Sequence, residues 1–207
     1  MKRLFLSSYF ANIKELFIEY MKDDISAKRL TFIPTASKFD GVDFYVKEAL
    51  DVFKSMGLGI DILDISTSSF DNIKDKLQNN DFIYVCGGNT FFLLKELKRT
   101  GADKIIIEQI NLGKLYIGES AGSIILSSNI DYIKYMDSNK EVGLESFDSL
   151  NIVDFYPVPH NRNFPFTEST QKIIQKYQDS IKLLPFNNNE IILVNKEQYK
   201  VIQKQDS

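Results

Sequence analysis

One cysteine, one histidine and no tryptophan stand in a chain of 207 residues, and these shortages exclude whole classes of chemistry. A single cysteine cannot close an internal disulfide, and one histidine leaves no Cys/His set for a structural zinc. Ten glycines and five prolines are few, so most of the chain is expected in regular helix and strand with short connections. No apolar run approaches the roughly 18 residues that a membrane span needs. The start Met-Lys-Arg is followed by only three apolar residues before Ser7 and Ser8, too few for a signal peptide's apolar stretch. A cytoplasmic location is therefore expected. With 25 Lys+Arg against 28 Asp+Glu, the formal charge of −3 gives no footprint for nucleic acid or an anionic membrane. There is no Gly-x-Gly-x-x-Gly and no Walker A pattern, which argues against dinucleotide and nucleoside triphosphate sites. Neither a metal nor a cofactor is expected.

At 43% hydrophobic and 26% charged residues, the composition is that of a folded globular protein. Short apolar runs alternate with longer amphipathic segments. Strands are predicted over 3–7, 30–34, 59–65, 82–86 and 115–117, and helices over 11–22, 42–56, 70–77, 91–99 and 102–111. Strands that are apolar throughout and separated by helices indicate a parallel sheet covered on both faces. After residue 126 the pattern loosens. Residues 131–140 read as irregular, 153–158 as a strand and 167–177 as a helix, and 190–194 with 198–202 as a closing hairpin. No repeat or linker interrupts the chain, so one domain is expected over 1–207. The aromatic residues, 16 Phe and 10 Tyr, read as core.

The strongest local signal is Gly118-x-Ser120-x-Gly122, where a predicted strand turns into a helix. A nucleophilic serine needs its oxygen held clear of the backbone at a sharp turn, and flanking glycines permit one. The Ala121 amide would then face a developing oxyanion. The same residues also describe a tight turn with a capping serine. Gly87-Gly88-Asn89-Thr90 follows another buried strand. Its simplest reading is a turn with Asn89 or Thr90 as helix N-cap. In a parallel sheet both glycine turns fall at the carboxyl edge, where open α/β folds bind ligands, and Gly88 becomes a second oxyanion donor opposite Ala121.

His160, in Pro157-Val158-Pro159-His160, is the one imidazole available as general base for Ser120. For a carboxylate to orient it, Asp137, Asp154 and Glu190 are all open on spacing. Cys86 reads as a buried, inert thiol.

Three segments in order resemble the peptidase E (α-aspartyl dipeptidase) and cyanophycinase family of serine peptidases. They are Gly87-Gly88-Asn89-Thr90-Phe91, then Ile117-Gly118-Glu119-Ser120-Ala121-Gly122, then Phe147-Asp148-Ser149-Leu150 leading to Pro159-His160. The resemblance spans the chain. It implies a three-layer α/β/α sandwich with a mainly parallel sheet, similar to class I glutamine amidotransferases but with serine in place of their cysteine. It implies Ser120 as nucleophile, His160 as base, Gly88 and Ala121 as oxyanion donors, and Asp137 as the acid, with Glu190 second. Family members carry an arginine-containing stretch after the histidine, whereas residues 166–170 here read Phe-Thr-Glu-Ser-Thr. Arg162 is then the nearby guanidinium for a substrate carboxylate, and Asn89 a further candidate for substrate binding. The function expected is hydrolysis of short peptides or isopeptides through an acyl-enzyme. A small peptide is the expected partner, and monomer and homodimer are both left open. The alternatives are an esterase using the same serine, which an ester-versus-peptide panel separates, and a non-catalytic peptide-binding module on the same fold. Residues 131–144 are expected to restrict access to the site.

Overall fold

In β4 (Phe82–Val85) and β5 (Leu115–Glu119) every residue is buried, because each strand lies inside the sheet with a layer of helices on either face. The computed structural model describes residues 2–22, 25–39 and 41–205. Its main sheet has seven strands in the order β3-β2-β4-β5-β1-β8-β9. The other members are β1 (Arg3–Ser7), β2 (Arg29–Ile33), β3 (Gly59–Ile62), β8 (Glu190–Asn195) and β9 (Gln198–Gln203). The first five strands in that order run parallel, and the β8–β9 hairpin closes the edge antiparallel beside β1. The result is an α/β fold of three layers.

Alternation along each strand sorts the apolar residues between two cores. Leu4, Leu6, Ile83, Val85 and Tyr116 face one side, where they meet α3 (Phe70–Asn79), α4 (Thr90–Thr100) and α5 (Ala102–Asn111). Phe5, Phe32, Tyr84 and Ile117 face the other, against Phe17 of α1 (Lys14–Met21) and Phe53 of α2 (Phe44–Ser55). That second core is densely aromatic: Phe10 stacks on Phe53 at 4.4 Å between centroids, and Phe5 meets Phe17 edge-on at 5.1 Å. Such pairs contribute about 0.5–1.5 kcal/mol beyond their buried area.

The predicted elements are present with shifted ends. The helix expected from residue 11 opens as a 3-10 turn, Phe10–Ile13, before α1. The helix expected over 42–56 is α2, which leaves Val42 outside it. The strand expected over 153–158 shortens to β6 (Tyr156–Val158), which pairs with the unanticipated β7 (Leu183–Pro185) in a separate two-stranded parallel sheet. Pro157 has no N–H to give a central ladder, which confines β6 to such a margin. The remaining helices are α6 (Ala121–Ile124) and α7 (Thr167–Tyr177). Among the described residues no helix is long and apolar enough to cross a membrane.

Register decides where the chemistry falls. Ser7 of β1 pairs with Glu119 of β5, and Val85 of β4 pairs with Gly118. Three neighbouring strands therefore end together, bringing Ser7-Ser8, Gly87-Gly88 and Ser120 to one carboxyl edge.

Candidate active site

Ser120 sits between β5 and α6 with φ 48° and ψ −107°, a conformation that side-chain-bearing residues rarely adopt and hold only when their surroundings impose it. Here they do. A Cβ on Gly118 would lie 2.7 Å from the Gly122 carbonyl oxygen, and one on Gly122 would lie 2.1 Å from that of Val85. The Ser120 amide donates to the Ser7 carbonyl at 2.9 Å. The Ser123 hydroxyl reaches the carbonyls of Ser7 and Gly118, each at 3.0 Å, and the Tyr116 hydroxyl donates to the Gly122 carbonyl at 2.6 Å. These buried hydroxyls clamp the turn. They were not singled out from sequence, where isolated Ser and Tyr carry no distinguishing pattern.

The Ser120 hydroxyl lies 3.0 Å from Nε2 of His160. Three contacts fix the imidazole. Its backbone amide donates to the Ser8 hydroxyl at 3.0 Å, its ring stacks on Phe166 at 4.6 Å, and Nδ1 lies 2.8 Å from Oδ1 of Asn188. An amide oxygen only accepts, so Nδ1 carries the proton and Nε2 presents its lone pair to the serine. Burial lowers the imidazole to about 4, against a smaller upward pull from the Asn188 hydrogen bond. At neutral pH the ring is an uncharged acceptor.

The group at Nδ1 corrects the expectation of a carboxylate there. Asp137 instead accepts the Thr90 amide at 2.8 Å, binding the start of α4 while it lines the same cleft. Glu190 accepts the Asn187 amide at 2.7 Å and closes the turn that opens β8. Asp154 pairs with Lys182 at the surface. Asn188 reaches the ring because its loop is tied down: its amide donates to Asn163 Oδ1 at 2.8 Å, and the Ser8 hydroxyl donates to the Phe186 carbonyl at 3.2 Å. The run Asn187-Asn188-Asn189 was the available signal, visible only to a reading that admits an amide in a carboxylate's place.

Two further expectations are corrected. Asn89 caps α4 by accepting the Phe92 amide at 3.0 Å, and its amino group donates to the Ser138 carbonyl at 3.0 Å. Its polar atoms are engaged in structure, and it does not line the cleft. Arg162 is exposed and also lies off the cleft wall. Gly88 does line the cleft, with φ 128° and no space for a side chain: a Cβ would lie 2.3 Å from the Ala36 carbonyl carbon.

Beneath the elbow, buried Glu119 accepts the Phe10 amide at 2.8 Å and the Tyr84 hydroxyl at 2.5 Å, with the Cys86 thiol at 3.4 Å. Burial raises its carboxyl and pushes the Cys86 thiol well up, so the thiol stays protonated and inert. Among the described residues no group of three or more His, Cys, Asp or Glu is placed to hold a metal ion. The cleft over Ser120 and His160 has a volume of about 590 Å³.

The sequence model of Peptidase family S51 matches residues 4–202. An uncharacterized peptidase of Pasteurella multocida (strain Pm70) is 53% identical over 198 residues, covering 95% of each chain. Peptidase E of Nostoc (strain PCC 7120) is 33% identical over 168 residues, covering 78% of this chain and 66% of its own. A crystal structure of a candidate peptidase E protein from Listeria monocytogenes EGD-e superposes with a TM-score of 0.94 at 50% identity, over 99% of this chain and all of that one.

Proposed function

The chain belongs to peptidase family S51 and is a peptidase, and from that premise we propose that it is a cytoplasmic serine peptidase cleaving short peptides through an acyl-enzyme. The observation that carries the mechanism is the 3.0 Å contact between Ser120 Oγ and His160 Nε2, beside the Nδ1 contact to Asn188. In this reading Ser120 Oγ attacks the scissile carbonyl carbon while Nε2 takes its proton. The amides of Gly88 and Ala121 donate to the tetrahedral oxyanion, each worth about 3 kcal/mol in comparable sites. The C–N bond breaks as Nε2 returns its proton to the leaving amine, and water then hydrolyses the ester by the same relay. Asn188 orients the ring and selects its tautomer, but a neutral amide supplies no counter-charge to the imidazolium formed on the way.

A fluorophosphonate tests the nucleophile. One adduct per chain is expected by intact mass, mapping to Ser120 and lost in Ser120→Ala; a folded protein that takes up no label would overturn the mechanism.

The amide also has a consequence for pH. The base works only when unprotonated, so kcat/KM is expected to fall as pH drops through the imidazole value of about 4. In Asn188→Asp a carboxylate stabilises the protonated ring, and the acid limb moves up by about one to three pH units. An acid limb in the variant identical to that of the wild type would remove Asn188 from the role given to it.

A further inference from the structure

Resting on the serine-peptidase reading of the cleft, we infer that the substrate side chain held beside Ser120 is apolar or aromatic and uncharged, not acidic. The walls argue it. Tyr9, Phe44, Tyr45, Met136, Phe164 and Phe166 all line this cleft. Phe44 is 57% exposed and Phe164 93% exposed; large side chains left that open around one concavity mark a place where apolar surface is covered by a ligand. The two flanks come from separate parts of the chain, the start of α2 and the loop between His160 and α7, so an occupant would be gripped from both sides.

Charge points the same way. Among the described residues no lysine or arginine lines the cleft, and the acidic ones that do are Glu119 and Asp137. A carboxylate entering it would leave water for an apolar surround with acidic neighbours and no cation to pair with, which is costly for an unpaired ion. His160 offers no compensation near neutral pH, since its ring is uncharged there. An aromatic or branched aliphatic side chain loses nothing of this kind and gains contact with both walls.

The test uses matched dipeptides, Phe-Ala, Leu-Ala and Asp-Ala, on the full chain, with fluorophosphonate labelling of the same preparation run alongside. A kcat/KM for Phe-Ala and Leu-Ala at least about tenfold above that for Asp-Ala is expected. Equal or faster cleavage of Asp-Ala overturns the inference, and so does a protein that takes the label at Ser120 but cleaves none of the three. Absence of label with the apolar preference intact would instead sink the serine mechanism and leave the preference standing. Met136→Arg supplies the missing cation and is expected to raise the Asp-Ala to Phe-Ala ratio by about tenfold. Phe44→Ala removes an exposed wall of the cleft that the core does not use, and is expected to raise KM for Phe-Ala several-fold.

Discussion

Ser120→Ala is expected to lower kcat/KM by a factor of about 10⁴–10⁶, and His160→Ala to lower it nearly as far. The double variant is expected to be no worse than either single one. The reason is geometric: Oγ and Nε2 are 3.0 Å apart, and in the proposed mechanism they act on one proton in one step, so removing either leaves the other nothing to work with. Whatever rate remains in all three variants is what binding and the proposed oxyanion donors supply without an activated nucleophile. Steady-state kinetics of the four proteins, with circular dichroism to show that each is folded, reads the result. Losses that multiply in the double variant would mean that the serine and the histidine act in separate steps, and the shared-proton mechanism would have to go.

Gly122→Ala is expected to be strongly destabilising for a single added methyl. Its Cβ would lie 2.1 Å from the Val85 carbonyl oxygen, 2.8 Å from its carbon and 3.0 Å from its Cβ. Val85 ends a fully buried strand hydrogen-bonded to β2 on one side and β5 on the other, so it has no direction in which to retreat. Ordinary overpacking costs about 1–3 kcal/mol. Collision with a fixed backbone should exceed that, and a drop in Tm of roughly 10 °C or more follows for a chain of this size. Gly59→Ala is the control, because its new Cβ would find its closest neighbour at 3.5 Å, on the flexible Arg29 side chain, and a Tm within a few degrees of wild type is expected. Thermal unfolding followed by circular dichroism compares them. If Gly122→Ala melted with the wild type, the turn would have to be able to open, and the account of a serine held by close packing would be wrong.

These two variants mark the boundary between local and distant information. The elbow was legible because its requirements are local: glycines two residues either side of a serine, following a strand apolar enough to be central. The layered arrangement was legible too, since strands without a polar face have to be covered twice. The partner of His160 was not. Spacing leaves Asp137, Asp154 and Glu190 all open, and the family resemblance points to Asp137 with Glu190 second, but chain separation does not measure distance across a folded loop. Asp137 is drawn to the Thr90 amide at the start of α4, and Glu190 to the turn it closes.

The aromatic residues divide along the same line. Their number implied a large core, and Phe5, Phe10, Phe17 and Phe53 form one, yet nothing in their spacing separates them from Phe44 and Phe164, which stand exposed around the cleft. By itself the sequence determined the layering, the serine elbow and the one imidazole that could stand beside it, because apolar periodicity, a two-glycine turn and a lone histidine each have few solutions. Only the tertiary structure decided that an amide lies at Nδ1 of that imidazole and that, among the described residues, the cleft is walled by aromatics without a cation. Both depend on which loops the ends of β1, β4 and β8 bring together, and that is set by register and packing across the sheet.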